Sequence, residues 1–500
     1  MSFDKSQYDV VLIETPTKYV VERYDQPKYP AIGVAYVGNY LEKNVGITPA
    51  IIDAKLGRMT IEETIKYVVA LKPKIVGLSS MTHNIKVAAY IAFEIKKYLP
   101  NTITVMGGFH ATFLPEQTLK EFPTFDYVAV GESEVAWLKF VDAILNNNGS
   151  PKDIKGMWYE KNGTTTKMGR GEIPETLDEL GEPGWHLFDQ EIIHKYAGEM
   201  PIMAMRGCPF SCNFCSRPYG QLVRLRSSKL IVDEIEKNQK RYNINFFNFW
   251  DETFTINKLH TKALCQELIK RKLNIEFWCQ THANTFDLET AKLMKEAGCY
   301  YAGLGVESGN DEILKKMNKG AKKENILRAR EILKEVNIRT CCFLIFGHPF
   351  ETYKSIIDSI KFASKVNCEE TQIGIMVPYP GTEIYDMALK GEGGYVKMSI
   401  NWDDYNKQMG NAVELKNISR KKLEMLQLVA YFWLYIVNGR WSDLYKMVKA
   451  SGFSPGGGSG PNIWRLILSI IMKILGIQKL ARKMFINTGE AAVIGETKRR

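Results

Sequence analysis

Three cysteines, Cys208, Cys212 and Cys215, stand within eight residues in the stretch "RGCPFSCNFC" of a chain that has nine in all. At C-x3-C-x2-C spacing their thiols share one loop, and three thiolates suffice to ligate three irons of a 4Fe–4S cluster and leave the fourth iron open. A structural zinc site asks for four protein ligands, with a second Cys or His pair near the first. The nearest candidates, His194 and Cys265, make no such second half. Zinc and unligated thiols are the alternatives at this point. A disulfide framework is disfavoured, because the count is odd and the other cysteines are scattered through helix or strand patterns as buried small apolar residues. The amino terminus also lacks a charged segment followed by an apolar one, so a reducing cytoplasm is the expected compartment.

Loops that carry chemistry need a scaffold. The 500 residues, 45% of them apolar, are enough for two or three packed domains. Over 1–145 the runs "DVVLI", "TPAIID", "KIVGLSS", "TITVMGG" and "DYVAVGE" alternate with amphipathic helix patterns such as "IEETIKYVVALKP". That alternation predicts an α/β domain, an open parallel sheet of about five strands. In such sheets the loops after the strands' carboxyl ends hold the ligand. Here those loops are Asp53 to Arg58, Ser79 to His83, Gly107 to His110 and Gly131 to Glu134. Residues 146–198 are polar and turn-rich and read as a linker with a small hairpin. From 199 to 400 six further strand-and-helix repeats begin with "PIMAMRG", directly before the cysteines, and predict a partial or full barrel with its active site at the carboxyl-terminal strand ends. Residues 401–450 read as helical and 451–461 ("SGFSPGGGSGP") as a flexible linker. A basic amphipathic tail follows over 462–500.

The cysteine loop, with aromatic Phe214 before the last cysteine, resembles the signature of the radical S-adenosylmethionine superfamily. The five-stranded domain in front resembles the cobalamin-binding domain of one subclass, so the resemblance covers about 400 residues. It implies a flavodoxin-like (Rossmann-like) cobalamin domain followed by a partial (βα)6 barrel of TIM type and a helical C-terminal region. It also implies three cofactors, a 4Fe–4S cluster, S-adenosylmethionine and cobalamin. Phe214, Asp251 and Glu252 in "FWDETFT" and Glu307 in "GVESGN" then fall where the family contacts S-adenosylmethionine. Arg224 and Arg226 are either anion partners near the cluster or surface residues.

Cobalamin domains that ligate cobalt often carry D-x-H-x-x-G. Here "DAKLGR" keeps Asp53 but has Lys55 in the histidine place and Arg58 in the glycine place. A protonated lysine has no lone pair for cobalt, so the resemblance implies a missing or water lower ligand. Ser79, Ser80, Gly107, Gly108, Gly131 and Glu132 match the loops that take the nucleotide tail. His83 and His110 are alternative cobalt ligands outside the usual loop, or loop histidines with other partners.

The net charge of +10 is concentrated late, from Trp464 onward, so the body of the chain gives no nucleic-acid signature. In the tail, Arg465, Lys473, Lys479 and Lys483 form a basic stripe on an apolar helix pattern, which reads as peripheral membrane contact or as a helix docked on protein. No window is long and apolar enough to span a bilayer. The resemblance, taken with these features, implies a cobalamin-dependent radical enzyme, a C-methyltransferase acting on a small-molecule or lipid substrate through a 5′-deoxyadenosyl radical and methylcobalamin. Its electron donor would be a flavodoxin or ferredoxin, and its place the cytoplasm, with membrane association through the tail. The alternatives are an oxidative cyclase, like the anaerobic enzyme acting on magnesium-protoporphyrin monomethyl ester, and a non-catalytic sensor of cobalamin and cluster.

Overall fold

The computed structural model describes residues 3, 7–17, 27–147, 150–406 and 411–440. The segment 451–461 and the tail 462–500 lie outside the described residues.

Two parallel sheets follow one another along the chain. In the first, β1 (Val10–Glu14), β2 (Ala50–Asp53), β3 (Ile75–Ser79), β4 (Ile103–Gly107) and β5 (Tyr127–Ala129) are nearly continuous in buried apolar residues, as strands covered on both faces are. Their order is β2-β1-β3-β4-β5, all parallel. The chain therefore reverses direction across the sheet between β1 and β3, and the crevice outside those strand ends is where such a sheet takes a ligand. The expected five strands become seven, because the hairpin β6 (Met157–Lys161) and β7 (Thr164–Thr166) pairs antiparallel onto β5. The residues read as a linker thus complete a sheet edge that would otherwise offer free N–H and C=O groups.

Helix boundaries follow the local chemistry. Thr60 and Glu63 form a capping box that starts the helix Ile61–Leu71, and Gly46, at φ 68°, ends the helix Ile32–Val45.

The second sheet has six parallel strands: β8 (Met200–Ile202), β11 (Phe246–Phe249), β12 (Glu276–Thr281), β13 (Cys299–Glu307), β14 (Arg339–Phe346) and β15 (Glu370–Ile375), each beside its predecessor in this order. Since β8 and β15 do not pair, the barrel is partial. The run "PIMAMRG", expected as one strand, breaks after Ile202. Its remainder forms β9 (Met205–Arg206), which pairs antiparallel with β10 (Arg224–Leu225) and closes the cysteine loop at its base.

After the barrel, β16 (Tyr395–Met398) pairs with β17 (Val413–Leu415), and a helix spans Arg420–Val437. Within the described residues the helical reading of 401–450 therefore holds for one short turn, Trp402–Asp404, and from Arg420 onward. Upstream of it, Trp402 and Tyr405 are buried, together with Val377 and Tyr385, in the core of the first domain. Burying two large aromatic rings outweighs helix propensity there. Among the described residues no helix is long and apolar enough to cross a membrane.

Candidate cluster and cofactor site

The three cysteines are free thiols on the loop between β9 and β10. Cys208 is half-buried, Cys212 buried and Cys215 exposed, while the other six are buried as expected of packing residues. The loop starts at Gly207, whose φ of 98° and closeness to the Leu222 carbonyl leave no room for a Cβ. It is drawn back by hydrogen bonds from Cys208 N to Gly220 O (3.2 Å) and from Cys215 N to Cys212 O (3.2 Å). The Cys215 thiol's hydrogen bond, assisted by the charge of Lys319, lowers Cys212 and favours its thiolate. Among the described residues no three His, Cys, Asp or Glu side chains converge as ligands of one metal ion do. A 4Fe–4S cluster places each thiolate on a different iron, so its ligands need no common centre, and three free thiols on one tied loop fit it.

Asp251, Glu252 and Thr253, directly after β11, touch the path into that loop in sequence. Asp251 Oδ1 accepts from Ala204 N (2.9 Å) and Met205 N (2.5 Å), at the break between β8 and β9. Glu252 Oε2 accepts from Gly207 N (3.2 Å), and Thr253 Oγ1 lies 3.9 Å from Cys208 Sγ. Burial raises Asp251 to about 8 and raises Glu252 as well. Their other oxygens, Asp251 Oδ2 and Glu252 Oε1, are buried without a partner. An orphaned acceptor beside the cysteine loop fits an ammonium donor such as that of S-adenosylmethionine, and half-buried Phe214 is part of that loop.

Glu307 ends β13 in a left-handed conformation, φ 60°. Its carboxylate pairs with Lys319, Oε1 to Nζ at 2.9 Å, both side chains being buried. Lys319 had no signal in the sequence. Neither had Asn213, between the second and third cysteines, which donates from Nδ2 to Lys316 O (2.8 Å) and from N to Met317 O (3.1 Å), while its own carbonyl accepts from Ile384 N (3.3 Å).

In the first domain Asp53 is buried and shapes its own loop, accepting from Ala31 N and Leu56 N at 2.8 Å each. Burial lifts it to about 6. Lys55 is half-buried in the turn that follows. Arg58, in the motif's glycine place, has a left-handed backbone, φ 55°, with its guanidinium 4.6 Å above the Tyr196 ring. Ser79 ends β3, and Ser80 Oγ is buried with no partner. A Cβ on Gly107 would meet nothing closer than 3.8 Å. Met81 and Phe109 expose their side chains on the loops after β3 and β4. Free space, an orphaned hydroxyl and exposed apolar side chains at the sheet's switch point fit a large ligand with apolar faces and a polar tail, as cobalamin is.

Gly108 adopts φ 89° with its Cβ direction 2.7 Å from Ser80 O. Gly108→Ala is expected to cost about 1–3 kcal/mol of stability and to lower the cobalamin retained through gel filtration. Full retention with an unchanged unfolding midpoint would contradict that role.

Two expected roles change. Glu132 is not open to a nucleotide tail: its carboxylate binds Arg206 Nη1 (2.6 Å) and Arg224, while Glu134 takes Arg206 Nη2 (2.7 Å). Arg206, 3% exposed, also stacks over Tyr36 and Tyr219. Arg226 pairs with buried Glu234 (2.7 Å). Both Arg224 and Arg226 are thus taken up by protein carboxylates. Gly131 lies under the Arg170 side chain, 3.2 Å from its Cβ direction. His110 packs edge-on against Trp402, 4.7 Å between centroids, with neither ring nitrogen partnered and burial holding it neutral, down to about 4. His83 is half-buried in a short turn after β3.

Comparison with known proteins agrees with this geometry. Residues 202–363 match the radical SAM superfamily model and residues 21–140 the B12 binding domain. An uncharacterized methyltransferase of Pyrococcus horikoshii is 29% identical over 433 residues, 85% of this chain and 92% of that protein. An anaerobic magnesium-protoporphyrin IX monomethyl ester cyclase of Rubrivivax gelatinosus is 30% identical over 368 residues, 71% of this chain and 66% of the cyclase. Among solved structures, the cobalamin-dependent S-adenosylmethionine radical enzyme OxsB, with aqua-cobalamin and S-adenosylmethionine bound, superimposes with a TM-score of 0.71 at 18% identity, covering 94% of this chain and 75% of OxsB.

Proposed function

Since the chain belongs to the cobalamin-binding radical S-adenosylmethionine superfamily, an enzyme family using a 4Fe–4S cluster, S-adenosylmethionine and cobalamin, we propose that it methylates an unactivated carbon of a small or lipophilic substrate. The observation that carries this reading is the ion-paired seam between the two cofactor loops. Glu132, on the loop after β5, and Glu134, the first residue of the helix that follows, hold Arg206 two residues before Cys208. A substrate carbon can then face hydrogen abstraction and methyl delivery in one site, which is what positioning contributes to catalysis.

The bound cofactors supply the hard chemistry, a carbon-centred radical from S-adenosylmethionine and a transferable methyl group on cobalamin. The chain's own residues do the rest. Cys208, Cys212 and Cys215 mount the cluster. Asp251 holds the bend that aims their loop, and Glu252, with its orphaned Oε1, receives the ammonium of S-adenosylmethionine beside Phe214 and Glu307. Asp53 shapes the loop under cobalamin, while Ser79, Ser80, Gly107 and Gly108 make room for its tail and Gly131 turns the last loop under Arg170. The enzyme requires an external reductant, and a flavodoxin or ferredoxin of the cytoplasm is the donor that suits this chemistry. Contact of the tail 462–500 with a membrane surface rests on its cationic and apolar pattern alone.

The second reading is oxidative cyclisation without methyl transfer, favoured by the Rubrivivax cyclase at 30% identity. Incubation with methyl-labelled S-adenosylmethionine, a reductant and candidate substrates separates the two. Methylation predicts label in the product together with one S-adenosylhomocysteine and one 5′-deoxyadenosine per methyl group. Product formed with 5′-deoxyadenosine and no label would exclude it.

A further inference from the structure

Lys319 lies on a turn distant in sequence from the cysteines, yet this turn is stitched to their loop. Asn213 donates to the carbonyls of Lys316 and Met317, and Asn318 Nδ2 donates to Ser211 O at 2.9 Å. On the other side His282 donates from Nε2 to the Lys319 carbonyl (3.0 Å), and its ring stacks on Phe210 of the cysteine loop at 3.9 Å between centroids. The turn is therefore fixed at both ends, and it drives an ammonium into an interior where the Lys319 residue is 6% exposed. Gly305 makes the space, since a Cβ there would lie 2.6 Å from both Lys319 Nζ and Glu307 Oε1.

An ion pair buried this deeply costs desolvation that its own attraction rarely repays. The Glu307 carboxylate, 2.9 Å from Nζ, is the partner that keeps this ammonium charged in the interior. Because its turn is hydrogen-bonded to the loop of Cys212 and Cys215, the cation is held beside the mount where negative charge grows when the cluster takes up an electron.

We propose that Lys319, balanced by Glu307, sets the reduction potential of the cluster held by Cys208, Cys212 and Cys215. A fixed positive charge in a poorly screened interior stabilises the reduced, more negative cluster, and the neighbouring carboxylate trims that effect. The inference rests on the cluster assignment. If that assignment fails, reconstituted protein shows no cluster signal at all, an outcome distinct from a signal whose potential does not move.

The experiment is EPR-monitored potentiometry of the reconstituted full chain without S-adenosylmethionine, with iron and sulfide counted for each variant. K319Q is expected to lower the reduced-to-oxidised ratio at a fixed potential at least about tenfold, the effect of one unit charge about 12 Å away at an effective dielectric near 20, or about 59 mV for one electron. K319R keeps the parent ratio, and E307Q raises it. An unmoved ratio in K319Q overturns the proposal, as does movement of K319Q and E307Q in the same direction. Should K319Q hold no cluster, E307Q decides: a ratio unmoved or lowered overturns it.

Discussion

Replacing Cys208, Cys212 or Cys215 by Ala is expected to abolish both the iron–sulfur charge-transfer absorbance of the reconstituted protein and its formation of 5′-deoxyadenosine. With three thiolates on three irons there is no spare ligand to substitute for a lost one. The other six cysteines are buried in the packing, so C265A, a control, should keep both signals and lose only stability. Retention of cluster absorbance and nucleoside formation in any of the three loop variants would end the cluster assignment.

Arg206→Met is expected to destabilise the chain by about 3–5 kcal/mol, read as a shifted midpoint in anaerobic urea unfolding of the apoprotein. The figure follows from removing one partner of a buried charge set and leaving the others uncompensated. Glu132 and Glu134 are as buried as Arg206 itself, at 4% and 6% side-chain exposure against 3%, and Tyr36 and Tyr219 would lose the cation between them. Because Arg206 leads into Gly207 and Cys208, the variant should also hold less cluster per chain. A change below about 1 kcal/mol would mean that the seam is solvated, contrary to its burial.

The fold was legible because its strands are continuous apolar runs and its loops carry the glycines and cysteines that chemistry needs. Both parallel sheets, the position of the cysteine loop and the three thiols could be read directly. What could not be read lies in relationships between distant residues. Glu132 matches a cofactor loop by position, but two arginines far along the chain capture it, and no local pattern announces that. Asp251 follows a strand end as a ligand-binding acid does, while one of its oxygens fixes the bend between β8 and β9. Lys319 sits in "MNKG" with no periodicity or spacing to mark it, and only the turn's hydrogen bonds bring it to the thiols. Residues 402–405 look like polar surface sequence apart from their two aromatic rings, and those rings decide where the segment goes.

Those same rings have a consequence for how the protein is made. The core of the first domain contains Val377, Tyr385, Trp402, Tyr405 and Ala412 alongside strands β1 to β5. On a ribosome adding about 5–20 residues per second, the amino-terminal sheet leaves the exit tunnel about 15–50 s before the side chains that seal it. During that interval His110 and the apolar face around it stand open to water, so the nascent chain passes through a stage in which a half-covered domain waits for its own carboxyl-terminal lining.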